Sequence, residues 1–323
     1  MKYLYVCVSS SIDFYLEQTF ASIVTLKANT PSAFVTLLTD NLTMASLQEG
    51  RDKIKALCDE IVVKNFETNI SQKKRSRLLK TNMRNYVDGD FLYIDGDTFV
   101  FDNLSEIEKC PHIIAGVQDM NCQLSKNRQY FTHQMLRRKI CQDSAFLQSE
   151  YFFNSGVLWT RDNEENRTFF KDWSQTYIEY EKKGISQDQP TLSFVNCKHG
   201  YPIYELDGSW NCQLESGAQF FNNAKIFHYF ASQVKQESLN QLFKRIRLNK
   251  FNDCVQEYIR NNYKRIAFNF GPCTLSRGPE HEIQATAFYR LIVFLFQRHR
   301  KIFNMFERLF QLGRGKGFFF NSR

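Results

Sequence analysis

The sequence predicts an α/β chain built on a mainly parallel sheet with helices on both faces, followed by a helical extension. Three observations lead there. Short apolar runs alternate with segments of helical period through the first half of the chain. Those runs are apolar at successive positions, the pattern of strands covered on both faces. After about residue 233 the strand-like runs give way to long polar and aromatic segments of helical period, which divides residues 1–235 from an extension at 236–323.

In chain order, strands are expected at residues 3–8, 33–39, 60–63, 91–94 and 113–117, with helices at 14–28, 45–58 and 75–86 between them. A second group follows: a strand at 151–159, helices at 164–182 and 188–195, and a last strand at 225–228. Residues 119–149 and those after 233 read as variable segments of the kind that shape acceptor pockets. No internal repeat of 20–50 residues is present. Ligands of such sheets gather at the carboxyl ends of the strands, so Ser9 to Asp13, Asp40 and Asp95 to Asp97 draw attention first.

Composition is that of an ordinary globular chain, 43% apolar and 24% charged, with an unusual 31 Phe crowding toward the last third. The formal charge of +8 is concentrated at the end. From Thr286 onward eight basic residues face one acid, Glu307, a surplus of seven that leaves the body almost neutral and argues against a nucleic-acid partner. The nine cysteines are scattered without a Cys-x-x-Cys pair, which speaks against a zinc module or a disulfide scaffold and for a reducing, cytoplasmic setting. The N-terminal apolar run is too short for a signal sequence, and no run approaches the roughly 18 residues needed to span a bilayer.

The segment Phe91-Leu-Tyr-Ile-Asp95-Gly96-Asp97 carries the chemistry. Two carboxylates across a tight glycine turn suit a hard divalent cation, and such a cation neutralises a departing diphosphate. Asp-Gly-Asp is also ordinary turn chemistry. The apolar strand before it favours the first reading, because carboxylates at the end of a central strand are less often mere turn formers.

This segment resembles the Asp-x-Asp motif of GT-A glycosyltransferases, and four more segments resemble glycosyltransferase family 8 in the right order. They are Ser76-Arg77-Leu78, Phe153-Asn154-Ser155-Gly156-Val157-Leu158, Asp188-Gln189 and Ile226-Phe227-His228-Tyr229. With Val8-Ser9 and the Ser22-Ile23 helix, the likeness spans residues 1 to about 230 and is to a family that includes enzymes adding galactose or glucose to lipopolysaccharide. It implies a GT-A, Rossmann-like fold and a UDP-sugar donor used with Mn²⁺ or Mg²⁺. The hexose would pass to a saccharide or lipid-linked saccharide acceptor with retention of anomeric configuration. It further implies Asp95, Asp97 and His228 as metal ligands, and Cys7, Val8, Ser9, Asp13, Arg77, Asn154 and Asp188 as donor-binding residues, with Asp40 a fainter candidate for the base or ribose. Gln189 and Asp188 would sit at the reacting carbon. Several of these positions have plainer uses. Ser9 suits a strand-to-helix loop, Asn154 a turn cap, Asp188 before Gln189-Pro190 a helix cap, and the run Lys73, Lys74, Arg75, Arg77, Lys80 a solvated helix face.

Two departures stand out. Pro190 takes the place of a third acid, and the lysine expected after the late histidine has no clear counterpart, Lys235 being the nearest. An inverting enzyme would need a positioned base, for which Asp119 and Asp207 are candidates. A nucleotidyltransferase would need a glycine-rich loop after the first strand, and Ser9-Ser10-Ser11 has none. A non-catalytic carbohydrate or membrane adaptor is opposed by the intact Asp95, Asp97 and His228. Finally, Phe288, Leu291, Ile292, Leu295, Phe296, His299, Ile302, Phe303, Phe306, Leu309 and Phe310 recur at helical spacing with a basic opposite face. Such a helix either packs on the body or lies on an anionic membrane surface.

Overall fold

The computed structural model describes residues 1–214, 216–230, 237–268, 291–292, 294–295 and 299–314. A seven-stranded sheet forms its centre. The strands are β1 (Lys2–Cys7), β2 (Phe34–Asp40), β3 (Glu60–Lys64), β4 (Phe91–Ile94), β6 (Ile114–Gln118), β7 (Phe153–Thr160) and β8 (Ile203–Glu205), in spatial order β3-β2-β1-β4-β7-β6-β8. β7 runs antiparallel to both neighbours and all other pairs are parallel, so the sheet is mixed and mainly parallel as expected. A smaller sheet, β5 (Thr98–Val100), β9 (Cys212–Gln213) and β10 (Ile226–His228), stands beside it in the order β5-β10-β9.

Successive residues of the central strands serve two cores, which is why the strands read as unbroken apolar runs. Tyr3, Tyr5, Leu92, Ile94 and Trp159 enter one core, while Leu4, Val8, Phe91, Tyr93 and Leu158 enter the other. The first is closed by α1 (Tyr15–Asn29), the small sheet, α8 (Glu237–Leu248) and α9 (Asp253–Phe268). The second is closed by α3 (Gln72–Thr81), α6 (Glu164–Glu181) and α7 (Gln189–Lys198). Each large side chain sealed in this way contributes about 1.5–3 kcal/mol of burial. Part of the phenylalanine excess belongs here: Phe99, Phe101, Phe227 and Phe243 pack with Tyr229 and Tyr263 between the small sheet, α8 and α9.

Several expected elements shift. The helix predicted at 45–58 is instead a short α2 (Asn41–Ala45) and a 3-10 turn at Arg51–Leu57. The cause is the pair Glu49 and Gly50, both at positive φ; a Cβ on Gly50 would meet Lys250 Cβ at 2.6 Å. The helix predicted at 75–86 starts earlier, capped by Ser71, and stops at Thr81 before a 3-10 turn at Met83–Asn85. The segment read as variable loop contains α4 (Tyr130–Ile140) and α5 (Ser144–Gln148), the latter capped by Asp143.

The boundary placed between 235 and 236 falls among residues outside those described, as do Lys235, Cys273, Phe288 and Phe296. Farther along, α10 (Arg300–Arg314) carries exposed Ile302, Met305, Phe306 and Leu309. Among the described residues no helix is long and apolar enough to cross a membrane, and no disulfide joins the described cysteines.

Candidate active site

β4 delivers Asp95 at its carboxyl end, where the Asp95 N–H donates to Gly156 O of β7 at 2.7 Å. The chain turns through Gly96, pressed so close to α1 that a Cβ would meet Thr19 Oγ1 at 2.5 Å, and enters β5 at Thr98. Antiparallel pairing of β5 with β10 sets His228 opposite Thr98, one residue beyond Asp97. Two segments distant in sequence thereby bring a ligand atom each from Asp95, Asp97 and His228 within 4.8 Å of one another. His228 Nε2 lies 3.2 Å from Asp97 Oδ1. Gly156 makes room for the group: a Cβ there would meet His228 Cε1 at 2.5 Å, Asp95 Oδ2 at 2.8 Å and Asn154 Oδ1 at 2.9 Å. Two carboxylates and one imidazole converging on a cradle that only glycine leaves open fit an oxygen-preferring divalent cation such as Mn²⁺.

Two cavities meet at these acids. The larger, about 400 Å³, is lined by Cys7 and Val8 of β1 and its end, by Tyr15, Gln18 and Thr19 of α1, by Gln72, Lys73, Ser76 and Arg77 of α3, and by Asp95 to Asp97. Its volume is in the range of ligand pockets. The smaller, about 170 Å³, shares Arg77, Asp95 and Asp97 and adds Lys80, Asp119, Asn154, Asp188, Gln189 and His228 among its walls.

Asp188 is buried at the mouth of α7, ion-paired with Arg77 at 3.1 Å and accepting from Ser155 Oγ at 2.7 Å. Burial opposes its charge, but Arg77 and Lys80 overcome that and hold the carboxyl well below the usual range. Asp188 makes no side-chain cap, so the plain helix-capping use does not account for it. Asn154 donates to Asp119 Oδ1 at 3.0 Å, and Gln189 Nε2 donates to the same oxygen at 3.0 Å. Asp119 also accepts from Asn127 and sits 3.3 Å from His133 Nε2. Burial again opposes the charge, and the nearby His133, with Asn154 and Asn127 donating, holds the carboxyl below its ordinary value.

Not every predicted residue reaches a cavity wall. Ser9 and Asp13 lie beneath the larger cleft and bind each other, Ser9 Oγ donating to Asp13 Oδ1 at 2.6 Å while Gln72 donates to Asp13 Oδ2 at 2.8 Å. They order the β1–α1 loop, and Arg51 fixes Ser9 from the far side at 2.8 Å. Asp40 caps α2 through Thr43 N and pairs with buried Arg75 at 2.6 Å, away from the cavities. Asp207 caps the turn at Gly208–Asn211. The basic run is not a uniformly solvated face, since Arg75 and Lys80 are buried.

Lys80 is the main residue that sequence reasoning passed over. Its side chain is 3% exposed, and its ammonium lies 3.0 Å from both Asp95 oxygens and 3.6 Å from Asp188. The available signal was its position three residues after Arg77, which puts both on one face of α3. Tyr93 adds a second donor to Asp95 Oδ1, still leaving that carboxylate lone pairs on Oδ2. Asn211, which faces His228 Nδ1 at 3.0 Å, carried no sequence signal.

Comparison with known proteins places this geometry. No curated protein sequence matches the chain. Solved structures do: galactosyltransferase LgtC in complex with donor and acceptor sugar analogues shares 16% identity over 88% of this chain and all of LgtC, with a TM-score of 0.51. An active-site mutant of LgtC matches at 15% identity over 88% of this chain and 99% of its own, TM-score 0.53. Mouse xyloside xylosyltransferase 1 in its apo form aligns at 13% identity over 72% and 98% of the two chains, TM-score 0.48. The two LgtC likenesses speak for a shared GT-A fold. The model of glycosyl transferase family 8 matches residues 7–236, most of the chain and all of the two cavities' lining except Val6. The chain belongs to glycosyltransferase family 8 and is a glycosyltransferase of GT-A fold.

Proposed function

We propose that the protein transfers a hexose from a UDP-sugar to a saccharide acceptor, with a divalent cation, Mn²⁺ or Mg²⁺, held by Asp95, Asp97 and His228. One observation carries this reading: the larger and smaller cavities meet at the Asp95–Asp97 turn, as a nucleotide diphosphate and its sugar would. When bound, the cation neutralises charge on the departing diphosphate. The chain's own groups do the rest. Cys7 and Val8 form the floor for the nucleoside, and Ser9 and Asp13 hold the loop that frames it. Lys73 and Arg77 bring positive charge to the larger cleft and stand in for the missing lysine after His228. Asn154 and Asp188 offer hydrogen bonds to sugar hydroxyls. With its amide nitrogen held by Asp119, Gln189 has its carbonyl oxygen left for the donor near the anomeric carbon.

Retention fits the carboxylates better than inversion. Asp119 accepts from Asn127, Asn154 and Gln189, and Asp188 is engaged by Arg77 and Ser155, so neither is placed as a general base for an incoming hydroxyl. Same-face attack, with the leaving phosphate oxygen taking the acceptor proton, needs no such base. We further propose that the 236–323 extension attaches the enzyme to an anionic inner leaflet, consistent with a lipid-linked acceptor. The support is α10, where exposed Ile302, Met305, Phe306 and Leu309 share a helix with Arg300, Lys301 and Arg308.

Donor hydrolysis tests the core of the proposal. A panel of nucleotide sugars with Mn²⁺ should give UDP release from a UDP-hexose, abolished by chelator and lowered at least about 100-fold by Asp97→Ala. Absence of turnover and binding across the panel, with Asp97→Ala indistinguishable from wild type, would refute it.

A further inference from the structure

His228 has two ring nitrogens, and only an unprotonated one can ligate a metal. Its surroundings determine which. His228 Nδ1 lies 3.0 Å from Asn211 Oδ1, and Asn211 Nδ2 donates to Asn154 Oδ1 at 3.0 Å. Asn154 Oδ1 also accepts the Gly156 N–H at 2.9 Å, while Asn154 Nδ2 donates to Asp119 Oδ1 at 3.0 Å. His228, Asn211, Asn154 and Asp119 are all at most 5% exposed, so water does not compete along this path.

The direction of the chain follows from its ends. A backbone N–H can only donate and an ionised carboxylate can only accept. Gly156 therefore fixes the oxygen of Asn154, and Asp119 fixes its nitrogen. An inverted Asn211 would set oxygen against oxygen at Asn154, so Asn211 turns its NH₂ there and its carbonyl oxygen to His228. The neutral imidazole must then carry its proton on Nδ1. The competing arrangement is a proton on Nε2 donated to Asp97 Oδ1, 3.2 Å away, a charge-assisted hydrogen bond that would convert a metal ligand into a donor.

We propose that Asn211 and Asn154 form a polarised relay, anchored on Asp119 and the Gly156 N–H, that locks His228 in its Nδ1–H form and presents Nε2 to the cation. Asn211 is thus a positioning residue, and Asp119 belongs to the same device that orients Gln189 from the sugar side. One carboxylate then organises both a metal ligand and the residue facing the reacting carbon. The relay rests on the metal reading only for the identity of what Nε2 meets.

The test needs no metal for its first arm. In ¹⁵N-histidine-labelled, metal-free protein held well above the usual histidine pKa of about 6.5, long-range ¹H–¹⁵N correlations distinguish the two tautomers. His228→Gln assigns the signal among the six histidines. The wild type should show Nδ1–H, and Asn211→Leu should move to Nε2–H. In the second arm, Asn211→Leu should raise the Mn²⁺ dissociation constant about 10- to 100-fold, the usual cost of losing a residue that orients a ligand. A wild-type Nε2–H tautomer, which needs no variant to fold, overturns the relay, as does Asn211→Leu retaining Nδ1–H. Wild-type protein that binds no Mn²⁺ would overturn the cation reading while leaving the tautomer result standing.

Discussion

Gly156→Ala is the substitution that most sharply separates a built metal site from a chance cluster. The new methyl would stand 2.5 Å from His228 Cε1 and 2.8 Å from Asp95 Oδ2. Carbon atoms settle at about 3.5–4.0 Å, so the imidazole must retreat by about 1 Å or the strand must give way. Metal–ligand distances tolerate about 0.2 Å, and a misplacement of about 1 Å costs on the order of 100-fold in rate. Mn²⁺ affinity, measured calorimetrically, should fall at least about 100-fold, and kcat/KM with it. Overpacking costs about 1–3 kcal/mol, which lowers Tm by several degrees without unfolding the protein. Gly116→Ala serves as the control: its methyl would meet the far end of Leu158, Cδ2 at 2.9 Å, a side chain able to turn away, and no metal ligand. Wild-type Mn²⁺ affinity in Gly156→Ala would refute the reasoning.

Acid stability reports on the Asp188 pair. Because the folded carboxyl sits below its unfolded value of about 3.9, its contribution is present above that value and is lost as pH falls through the folded one. Arg77→Met should raise the carboxyl, moving the onset of acid unfolding to higher pH. At neutral pH the variant should lose about 2 kcal/mol, less than a fully buried pair because the Arg77 side chain is 31% exposed; urea melts across pH 3–7 measure both. For the extension, sedimentation with anionic liposomes should capture the full chain and not a chain lacking residues 280–323. Equal capture removes the membrane reading.

Much of the site could be read from sequence because its parts lie at strand ends, where local pattern and position coincide. Asp95 and Asp97 follow an apolar run, Asn154 begins one, and Asp188 and Gln189 open a helix, so their placement needed little long-range information. What escaped was decided by packing across distance. Lys80 looks like one of several solvated bases until α3 is laid against β1 and α6, where its face turns inward. β5 is three residues long and hides behind the aspartates, yet it brings His228 to them. Asn211 has no motif because its role exists only through the pairing of β9 with β10. The failed helix at 45–58 shows the reverse: Gly50 was visible, but its left-handed backbone, wedged against Lys250, was not. Ser9 and Asp13, which the family resemblance puts at the donor, lie behind the wall, where their mutual hydrogen bond shapes the loop.

The most direct measurement is a crystal of the protein soaked with UDP and Mn²⁺. The account predicts a metal peak coordinated by Asp95, Asp97 and His228, with the diphosphate beside it and the uridine along Cys7 and Val8 in the larger cleft. A metal peak or nucleotide density located away from Asp97 contradicts it.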